Sequence, residues 1–486
     1  MRKKILLIVG LLCLVGLSSG IAQDYPVDHD AAGVTVVVPD TWIFQVDIDN
    51  GTYWEPFTDI FGDGTIAVIA NTHPEEGQGM NAKVAFIDPS SGEVQEYWAF
   101  YTDAGDPWKG PFNEKRTDGN PARIAVDRRP GGTRYMVAME TTPYLYDEFN
   151  SEDRWYQGFA YDDRVATVQI FNKTADGPVP ITNVIDPIYQ SFENFDAQFG
   201  QQMRYGGDIR FLSNGNILTC PEDRTKNIVE GGTAAIATIF NGETGEVIKP
   251  AWNASGDGLA HEIWSNVAAF NGGFVIRSQA IFSVYDNDGN LQYYFNQDAF
   301  STITDTGRGD DTRIAANING NYVYYAGKGP EGDVVLSRFD AVATTSGDDL
   351  QGVKEVNVNE LDYLFGDTFK RAEAAVDELG NVCVVFDDTS TTGTEQTIAR
   401  IFNSDMEPVT PSFFAFQYHD VNGPDDMGYH SHEPNVSMDN QHIVIAANGI
   451  SWDEEFQGVT PGEQTFFIVL ENPLKEETAV SHWELH

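Results

Sequence analysis

Short stretches of alternating hydrophobic and polar residues recur along the chain, and glycine, asparagine or aspartate bounds each of them. The clearest copy spans residues 372–416 and contains four such stretches. AAVD and VCVVF are joined by the turn ELGN, while TIARIF is joined to a stretch near residues 409–416 by NSD. A period of two predicts β-strands, and short turns of this composition predict hairpins. The copy therefore predicts a unit of four antiparallel strands.

Seven copies of this unit follow the same order of strand, tight turn and strand. Their first turns carry Gly64, Gly132, Gly215, Gly272, Gly320, Gly380 and Asn440. Intervals of roughly 50 to 80 residues are typical of propellers and solenoids. Solenoid repeats are shorter and more regular, and tandem sandwiches would show linkers that this chain lacks. We therefore predict an all-β fold, a seven-bladed β-propeller of four-stranded antiparallel blades.

The predicted domain organisation is a signal peptide at residues 1–22 followed by a single β-propeller domain at 23–486. The blades are expected at roughly 57–110, 120–190, 206–253, 264–296, 311–358, 371–417 and 433–486. Closure of the ring leaves only short protected sheet edges, and it usually needs a strand from the other terminus. Residues 34–48 could supply that strand beside the C-terminal segment VSHWEL.

The sixth copy resembles the loosely repeated blades of large exported bacterial β-propeller proteins. The likeness lies in AEAAVDELGNVCVVF and IARIFNSDMEPV, where an alanine-aspartate strand meets a glycine-asparagine turn. Other copies, such as ARIAVD and IFNGETGEVIKP, are similar but degenerate, and the likeness covers roughly residues 57–472. It implies an architecture only, because such blades occur in adhesins, binding scaffolds and glycan enzymes. The Ser-x-Asp-x-Gly-x-x-Trp box of sialidases is absent.

The N-terminal segment is typical of a secretory signal peptide. Basic residues 2–4 precede an apolar run at 5–17, and residues 20–22 offer a small-residue cleavage site. A membrane anchor needs about 20 apolar residues, and this run is shorter. We therefore expect a secreted, periplasmic or cell-surface protein with no membrane insertion after cleavage.

The chain is strongly acidic, with 74 Asp and Glu against 29 Lys and Arg and a net charge of -45. Such a field repels phosphate backbones and anionic lipid, so we expect neither nucleic acid nor a membrane surface as partner. Only Cys220 and Cys383 remain after cleavage. They fall in the second strands of different copies, and we expect two buried free thiols rather than a disulfide.

The connections between strands differ in length. Turns from first to second strands are tight, as are most from third to fourth strands, whereas the connections from second to third strands and between blades are long. Because strand direction alternates, both long classes emerge on one face of the disc and the tight turns share the other. We expect ligand binding on the long-loop face and plain scaffold on the tight-turn face.

Charged residues stand near the beginnings of the first strands, close to the predicted axis. They are Asp59, Arg123, Asp208, Arg210, Arg313 and Glu373. Two interpretations remain open: salt bridges that close the axis, or a ligand site where arginines clamp a carboxylate and the acids serve as acid or base. The largest insertion adds aromatic residues that could stack on a sugar, anchor a protein, or simply pack the loops on one another: Tyr144, Trp155 and Tyr156.

One local cluster carries metal-binding side chains, namely His430, His432 and Glu433. Alternate residues of an extended segment point to one side, so the two imidazoles could reach one zinc ion, although the spacing matches no known zinc motif. For calcium, DNDGN at 286–290 and DVNGPDD at 420–426 offer oxygens but not the full EF-hand loop. An Asx-rich hairpin turn explains the first equally well. No cofactor is certain, and zinc and calcium are the candidates.

Together these features predict a binding or scaffold module at the cell exterior. Its ligand, a glycan or a surface protein, is expected on the long-loop face. The alternative is a carbohydrate-active enzyme, a glycoside hydrolase or lyase, with acidic residues at the central funnel. Geometry separates the two hypotheses, since such an enzyme needs two carboxylates about 5 to 10 Å apart in an open funnel.

Overall fold

Seven antiparallel sheets form the molecule, and each contains four main strands. The computed structural model describes residues 27–46, 56–72, 81–102, 105–107, 122–141, 165–185, 187, 208–223, 234–259, 265–302, 313–329, 333–358, 371–388, 396–416, 430–450 and 463–475. The innermost strand of each sheet contacts the innermost strands of the two neighbouring sheets, and these contacts run round a closed ring. The predicted all-β, seven-bladed propeller is therefore confirmed.

Strands are numbered in chain order and are given for each blade from the axis outwards. Blade 1 contains β2 (Phe57–Ile60), β3 (Ile66–Thr72), β4 (Asn81–Asp88) and β5 (Glu93–Trp98). Blade 2 contains β6 (Arg123–Val126), β7 (Arg134–Thr141), β8 (Val165–Thr174) and β9 (Gly177–Pro180). Blade 3 contains β10 (Asp208–Phe211), β11 (Ile217–Cys220) with β12 (Glu222–Asp223), β13 (Ala234–Phe240) and β14 (Val247–Asn253). β11 and β12 both pair with β13, on either side of Pro221, which has no N–H for the ladder.

The remaining blades repeat the same order. Blade 4 contains β15 (Ser265–Phe270), β16 (Gly273–Ser278), β17 (Ile281–Asp286) and β18 (Leu291–Asn296), followed by a short 3-10 helix (Gln297–Ala299). Blade 5 contains β19 (Ile314–Ala316), β20 (Tyr322–Lys328), β21 (Val334–Asp340) and β22 (Lys354–Asn357). Blade 6 contains β23 (Ala372–Val376), β24 (Val382–Asp388), β25 (Gln396–Phe402) and β26 (Phe413–Phe414). Blade 7 contains β27 (His430–Met438), β28 (His442–Ile450), β29 (Glu463–Glu471) and β1 (Val36–Val46).

The hydrophobic core lies between blades. Seven clusters of buried apolar side chains occur among the described residues, and each fills the space between two adjacent blades. Each blade is therefore covered on both faces by its two neighbours. For this reason β13, AAIATIF, is buried along its whole length rather than at alternate positions. Each fully buried Val, Leu, Ile or Phe side chain contributes about 1.5–3 kcal/mol relative to exposure.

The N-terminal strand closes the ring. β1 is the outermost strand of blade 7 and pairs antiparallel with β29, where Val36 lies opposite Leu470. Just before it, the short helix α1 (His29–Ala32) packs on blade 6, where the His29 Nε2 donates to the Ala415 carbonyl at 2.8 Å. The expected partner segment VSHWEL lies outside the described residues, as do the proposed signal peptide and its cleavage site.

Cys220 and Cys383 are both free and fully buried, as expected from the sequence. Cys220 belongs to the cluster between blades 3 and 4, and Cys383 to the one between blades 6 and 7. Burial raises the pKa of the Cys220 thiol to about 12, and it raises the pKa of Cys383 as well. Both thiols are therefore packing groups. In the described part of the chain, no helix is long and apolar enough to span a membrane.

Candidate binding site at the propeller axis

The innermost strands of all seven blades line a small polar cavity on the propeller axis. Its volume is about 70 Å³. Ordinary small-molecule pockets have volumes of about 300–1,000 Å³. The cavity is therefore large enough for a few water molecules or one carboxylate-sized group, and too small for a whole sugar ring.

The six charged residues predicted near the axis do gather around this cavity. Five are buried, whereas the side chain of Arg210 is 27% exposed. Three of them surround the buried ring of Phe57: the guanidinium carbons of Arg123, Arg313 and Arg210 lie 4.1, 4.5 and 5.7 Å from the ring centroid. These distances fall within the range of about 6 Å for cation–π attraction. We call Arg123, Arg210 and Arg313 the axial arginine cluster.

A chain of polar contacts joins four blades next to the cluster. Arg313 Nε lies 2.6 Å from Glu373 Oε1, and both side chains are almost fully enclosed. The Asn435 amide nitrogen donates to Glu373 Oε2 at 2.5 Å, and its oxygen accepts from the Thr58 backbone N–H at 2.6 Å. This series of contacts thus connects blades 5, 6, 7 and 1. Its buried polar groups interact with one another instead of with water.

Asp59 links its blade to the next one. One carboxylate oxygen accepts from the Val126 backbone N–H at 2.9 Å, and the other accepts from Ile60 N–H and from Arg128 Nε, the latter at 2.7 Å. The carboxylate therefore holds β2 against β6. Both of its oxygens already receive hydrogen bonds, which leaves it poorly placed to act as a general acid or base.

Asp208 plays the same part between blades 3 and 4. It accepts from the Val267 N–H at 2.9 Å and from the Ile209 N–H at 3.0 Å. It also lies 3.0 Å from the Arg210 guanidinium, so the most exposed member of the cluster is held by an ion pair. The interpretation that charges close the axis by mutual pairing thus accounts for the contacts of the three axial carboxylates.

Arg128 was not singled out in the sequence, yet it reaches the axis from the first turn of blade 2. Its guanidinium donates to Asp59 at 2.7 Å and to the Met438 carbonyl at 3.2 Å. Burial acts to lower its pKa, but the charges of Asp59, Glu378 and Asp439 outweigh that effect, and the pKa of Arg128 is raised. This side chain is therefore a fixed positive charge that ties blade 2 to blades 1 and 7.

Arginines gather around the cavity although the chain as a whole is strongly acidic. The Phe57 ring, the cavity wall and their direct partners include four arginines (Arg123, Arg128, Arg210 and Arg313) against three carboxylates (Asp59, Asp208 and Glu373). These arginine side chains thus lie together at the axis of a protein whose net charge is -45.

Two further residues at the axis could not be recognised from the sequence. Asn435 follows a β-bulge, since the pairing of β27 with β28 shifts register between His432 and Asn435. A strict period of two along the strand therefore does not place Asn435 at the axis. Phe57 looks like any other apolar strand residue. Only the convergence of β6, β10 and β19 on its ring shows that it organises the cluster.

Other predicted site residues cannot be placed. Tyr144, Trp155 and Tyr156 lie outside the described residues, and so does the calcium candidate at 420–426. The backbone of His430, His432 and Glu433 belongs to β27, but their side chains also lie outside the described part. The zinc site therefore stays a prediction, and no group of three or more potential metal ligands occurs among the described residues.

The calcium candidate at 286–290 is built as a hairpin turn. Asp286 Oδ1 accepts from the backbone N–H groups of Asp288 and Asn290 at 3.0 and 2.8 Å, and its Oδ2 accepts from the Asn290 amide at 2.9 Å. Burial acts to raise the pKa of this carboxyl, but these donors lower it overall. The Asx-turn interpretation accounts for the carboxylate without an ion.

Comparison with known proteins identifies no family. No protein family matches the chain, and no curated protein matches it. Among solved structures, a protein of unknown function from Dyadobacter fermentans has a TM-score of 0.44 at 9% identity, covering 90% of this chain and 99% of that one. An α-L-arabinofuranosidase, Arb93A, from Fusarium graminearum has a TM-score of 0.42 at 8% identity, covering 88% and 97%. The polysaccharide lyase Uly1 has a TM-score of 0.44 at 8% identity, covering 89% and 99%. At these values the likenesses carry no functional argument, and function has to be inferred from the residues.

Proposed function

We propose that the protein is an exported binding module that holds a carboxylate-bearing ligand, an acidic glycan, at the axial arginine cluster. The observation that carries the proposal is the gathering of Arg123, Arg210 and Arg313 round one ring in a chain of net charge -45. Clustered guanidinium groups attract anionic groups, whereas the acidic remainder of the surface repels them.

The chemistry of the cluster suits a carboxylate. Guanidinium groups present paired N–H donors that match the two oxygens of a carboxylate, and such bonds are stronger than neutral ones. Arg210 is the natural point of contact, because its side chain is partly exposed and lines the 70 Å³ cavity. The cavity accommodates the carboxylate while the rest of the glycan stays outside it. These contacts lie near the starts of the inner strands, on the face from which the long connections leave.

Catalysis by the axial carboxylates has less support. A hydrolase or lyase of the predicted kind would need two carboxylates flanking an open funnel. Among the described residues, Asp59 and Asp208 accept backbone hydrogen bonds from neighbouring blades. Glu373 forms an ion pair with Arg313 and accepts a hydrogen bond from the Asn435 amide. A binding role requires none of them to be released, so it is the function that this geometry supports best.

The test measures binding of a defined acidic oligosaccharide by isothermal titration calorimetry. Tetragalacturonate should bind the purified protein, and the neutral cellotetraose should not bind at this site. Arg210→Met should weaken tetragalacturonate binding by about tenfold or more, because a charge-assisted hydrogen bond contributes about 1.5–3 kcal/mol.

Arg134→Met is the matched control. Arg134 is 24% exposed and pairs with Glu243 at 3.1 Å, much as Arg210 is 27% exposed and pairs with Asp208 at 3.0 Å. The control therefore removes an ion-paired arginine of similar exposure away from the axis, and it should leave tetragalacturonate binding unchanged. The proposal would be refuted if both variants lost the same affinity for tetragalacturonate, or if Arg210→Met left that affinity unchanged.

A further inference from the structure

A second cavity opens on the opposite face of the disc, between blades 1 and 2. Its volume is about 440 Å³, within the range of ordinary ligand pockets. It is lined by Asp63, Thr65, Phe86, Asp88, Glu93, Gln95, Tyr97, Thr133, Lys173, Thr174 and Ala175. Most of these residues belong to or adjoin tight turns from first to second or from third to fourth strands. The cavity, which we call the rim groove, therefore lies on the face expected to be plain scaffold.

An aromatic ring with a fixed orientation forms one side of the rim groove. Tyr97 packs against Phe86, with ring centroids 5.7 Å apart and planes inclined at 47°. Its hydroxyl donates to Gln95 Oε1 at 3.0 Å. The ring also lies against the backbone of Gly177, where an added Cβ would come within 2.9 Å of Tyr97 Cε1. Three neighbours thus hold a half-buried ring in place, and a preorganised ring binds a ligand with little loss of entropy.

Hydrogen-bonding groups of both kinds surround that ring. On the blade 2 side, Lys173 Nζ lies 2.8 Å from Asp63 Oδ2 and 2.7 Å from Thr65 Oγ1. An ammonium group has three N–H donors; these two contacts use two of them, and Nζ also lies 4.4 Å from the Phe61 ring centroid, so at most one N–H is left for a ligand. On the blade 1 side, the Gln95 amide donates to Glu93 at 2.9 Å and has a second N–H. Carboxylate and threonine oxygens supply the acceptors.

This combination matches the surface of a sugar. A pyranose offers an apolar face that packs on an aromatic ring, and a rim of hydroxyls that both donate and accept. The charge of the rim groove then selects among sugars. Asp63, Asp88 and Glu93 stand against Lys173 alone, a balance of -2 that repels carboxylate-bearing sugars.

We propose that the rim groove is a saccharide-binding site for sugar residues that are neutral or carry an amine. Blade 1 supplies the aromatic platform and the acceptors, and blade 2 supplies the ammonium donor and the threonine hydroxyls. The site is separate from the axial arginine cluster in position and opposite to it in charge. Either proposal can therefore fail while the other holds.

The direct test titrates the whole protein with cellotetraose, with the amine-bearing chitotetraose and with tetragalacturonate. Cellotetraose or chitotetraose should bind in calorimetry at ligand concentrations up to about 10 mM. Tyr97→Ala should weaken that binding about tenfold or more, since it removes the stacking surface. Tyr97→Phe keeps the ring and should stay within about threefold of wild type.

Tyr294→Ala is the matched control, since Tyr294 is an exposed tyrosine on β18, the corresponding outer strand of blade 4. It should leave binding unchanged. If Tyr97→Ala melts early, Gln95→Ala replaces it, because Gln95 is exposed and its loss should still weaken binding about threefold. Two results would overturn the proposal: neither non-acidic sugar binds, or binding persists in Tyr97→Ala and Gln95→Ala. Equal, Tyr97-dependent binding of tetragalacturonate would overturn the charge selection.

Discussion

The axis and the rim groove contain the same kinds of side chain, but they differ in how much space surrounds these side chains and in how many of them are already paired. Each sets polar side chains round an aromatic ring, Phe57 at the axis and Tyr97 in the groove. At the axis the space is about 70 Å³ and the charges are mainly paired across blades, whereas the groove leaves about 440 Å³. Charges enclosed between blades are therefore part of the architecture, whereas the partly exposed groups, Arg210 at the axis and the polar residues of the groove, are available to a ligand. The following predictions test that difference.

The largest expected effect is on stability at the axis. Glu373→Gln removes the carboxylate that faces Arg313 at 2.6 Å in an almost fully buried pair. Breaking a buried ion pair from one side leaves an uncompensated charge, and we expect a loss of about 3–5 kcal/mol in the free energy of unfolding. Urea denaturation measures it. Glu96→Gln, in the exposed pair with Lys83, should cost no more than about 1 kcal/mol. Similar values for both variants would contradict the view that the axis is a structural joint.

A smaller loss is expected at the wall of the rim groove. Gly177 has φ = 115°, and an added Cβ would lie 2.9 Å from the Tyr97 ring. Gly177→Ala should therefore lower the free energy of unfolding by about 1–3 kcal/mol and also displace the ring. Gly92→Ala, at φ = 71° with nothing near its Cβ, carries the backbone strain alone. Sugar binding should weaken in the first variant and stay unchanged in the second, as calorimetry would show.

Salt should separate the two sites by their ligands. Raising sodium chloride from about 0.05 to 0.5 M shortens the Debye length severalfold, so tetragalacturonate binding should weaken by a few-fold. Binding of the neutral cellotetraose should hardly change, because it relies on stacking and neutral hydrogen bonds. If the affinity for tetragalacturonate did not change with salt, the axial arginine cluster would not be its binding site.

The smallest effect concerns the ion pair in the groove. Burial acts to raise the pKa of Asp63, but hydrogen bonds from Lys173 and Thr65 outweigh it, and the pKa lies below the usual 3.8. A carboxyl with a depressed folded-state pKa stabilises the fold above its unfolded-state pKa, and that stability is lost as the pH falls through the folded-state pKa. The difference in unfolding free energy between wild type and Asp63→Asn should thus be below about 1 kcal/mol at pH 7 and shrink as the pH falls through the folded-state pKa of Asp63. A difference that grows towards low pH would contradict this sign.

The fold could be predicted from the sequence in more detail than the candidate site. Hairpin turns such as ELGN are local, and the strands they separate obey a period of two, so the blades could be counted along the chain. The charged residues at the starts of the inner strands were also visible as a set, because every first strand begins at the same distance from the axis. Their partners were not visible, since an ion pair such as Arg313 with Glu373 joins separate blades.

The failures have specific physical causes. A bulge shifts the register of β27 between His432 and Asn435, so a strict period of two does not place Asn435 at the axis. The rim groove was missed altogether, because it forms where turns of two blades meet. Neither turn departs from ordinary hairpin chemistry, so neither carried a signal of its own. The expectation of a plain tight-turn face followed from loop length, which says nothing about the space between blades.

The closing strand has a consequence for how the molecule folds. β1 is among the first strands to be synthesised, and its partner β29 is the last strand of the described chain. Blade 7 thus stays incomplete, with an unpaired sheet edge, until β29 has been synthesised. The cost of closing so long a loop grows only with the logarithm of its length, but contacts this distant in sequence slow folding. Ring closure therefore requires both ends of the described propeller, since a chain truncated before β29 leaves β1 without its partner.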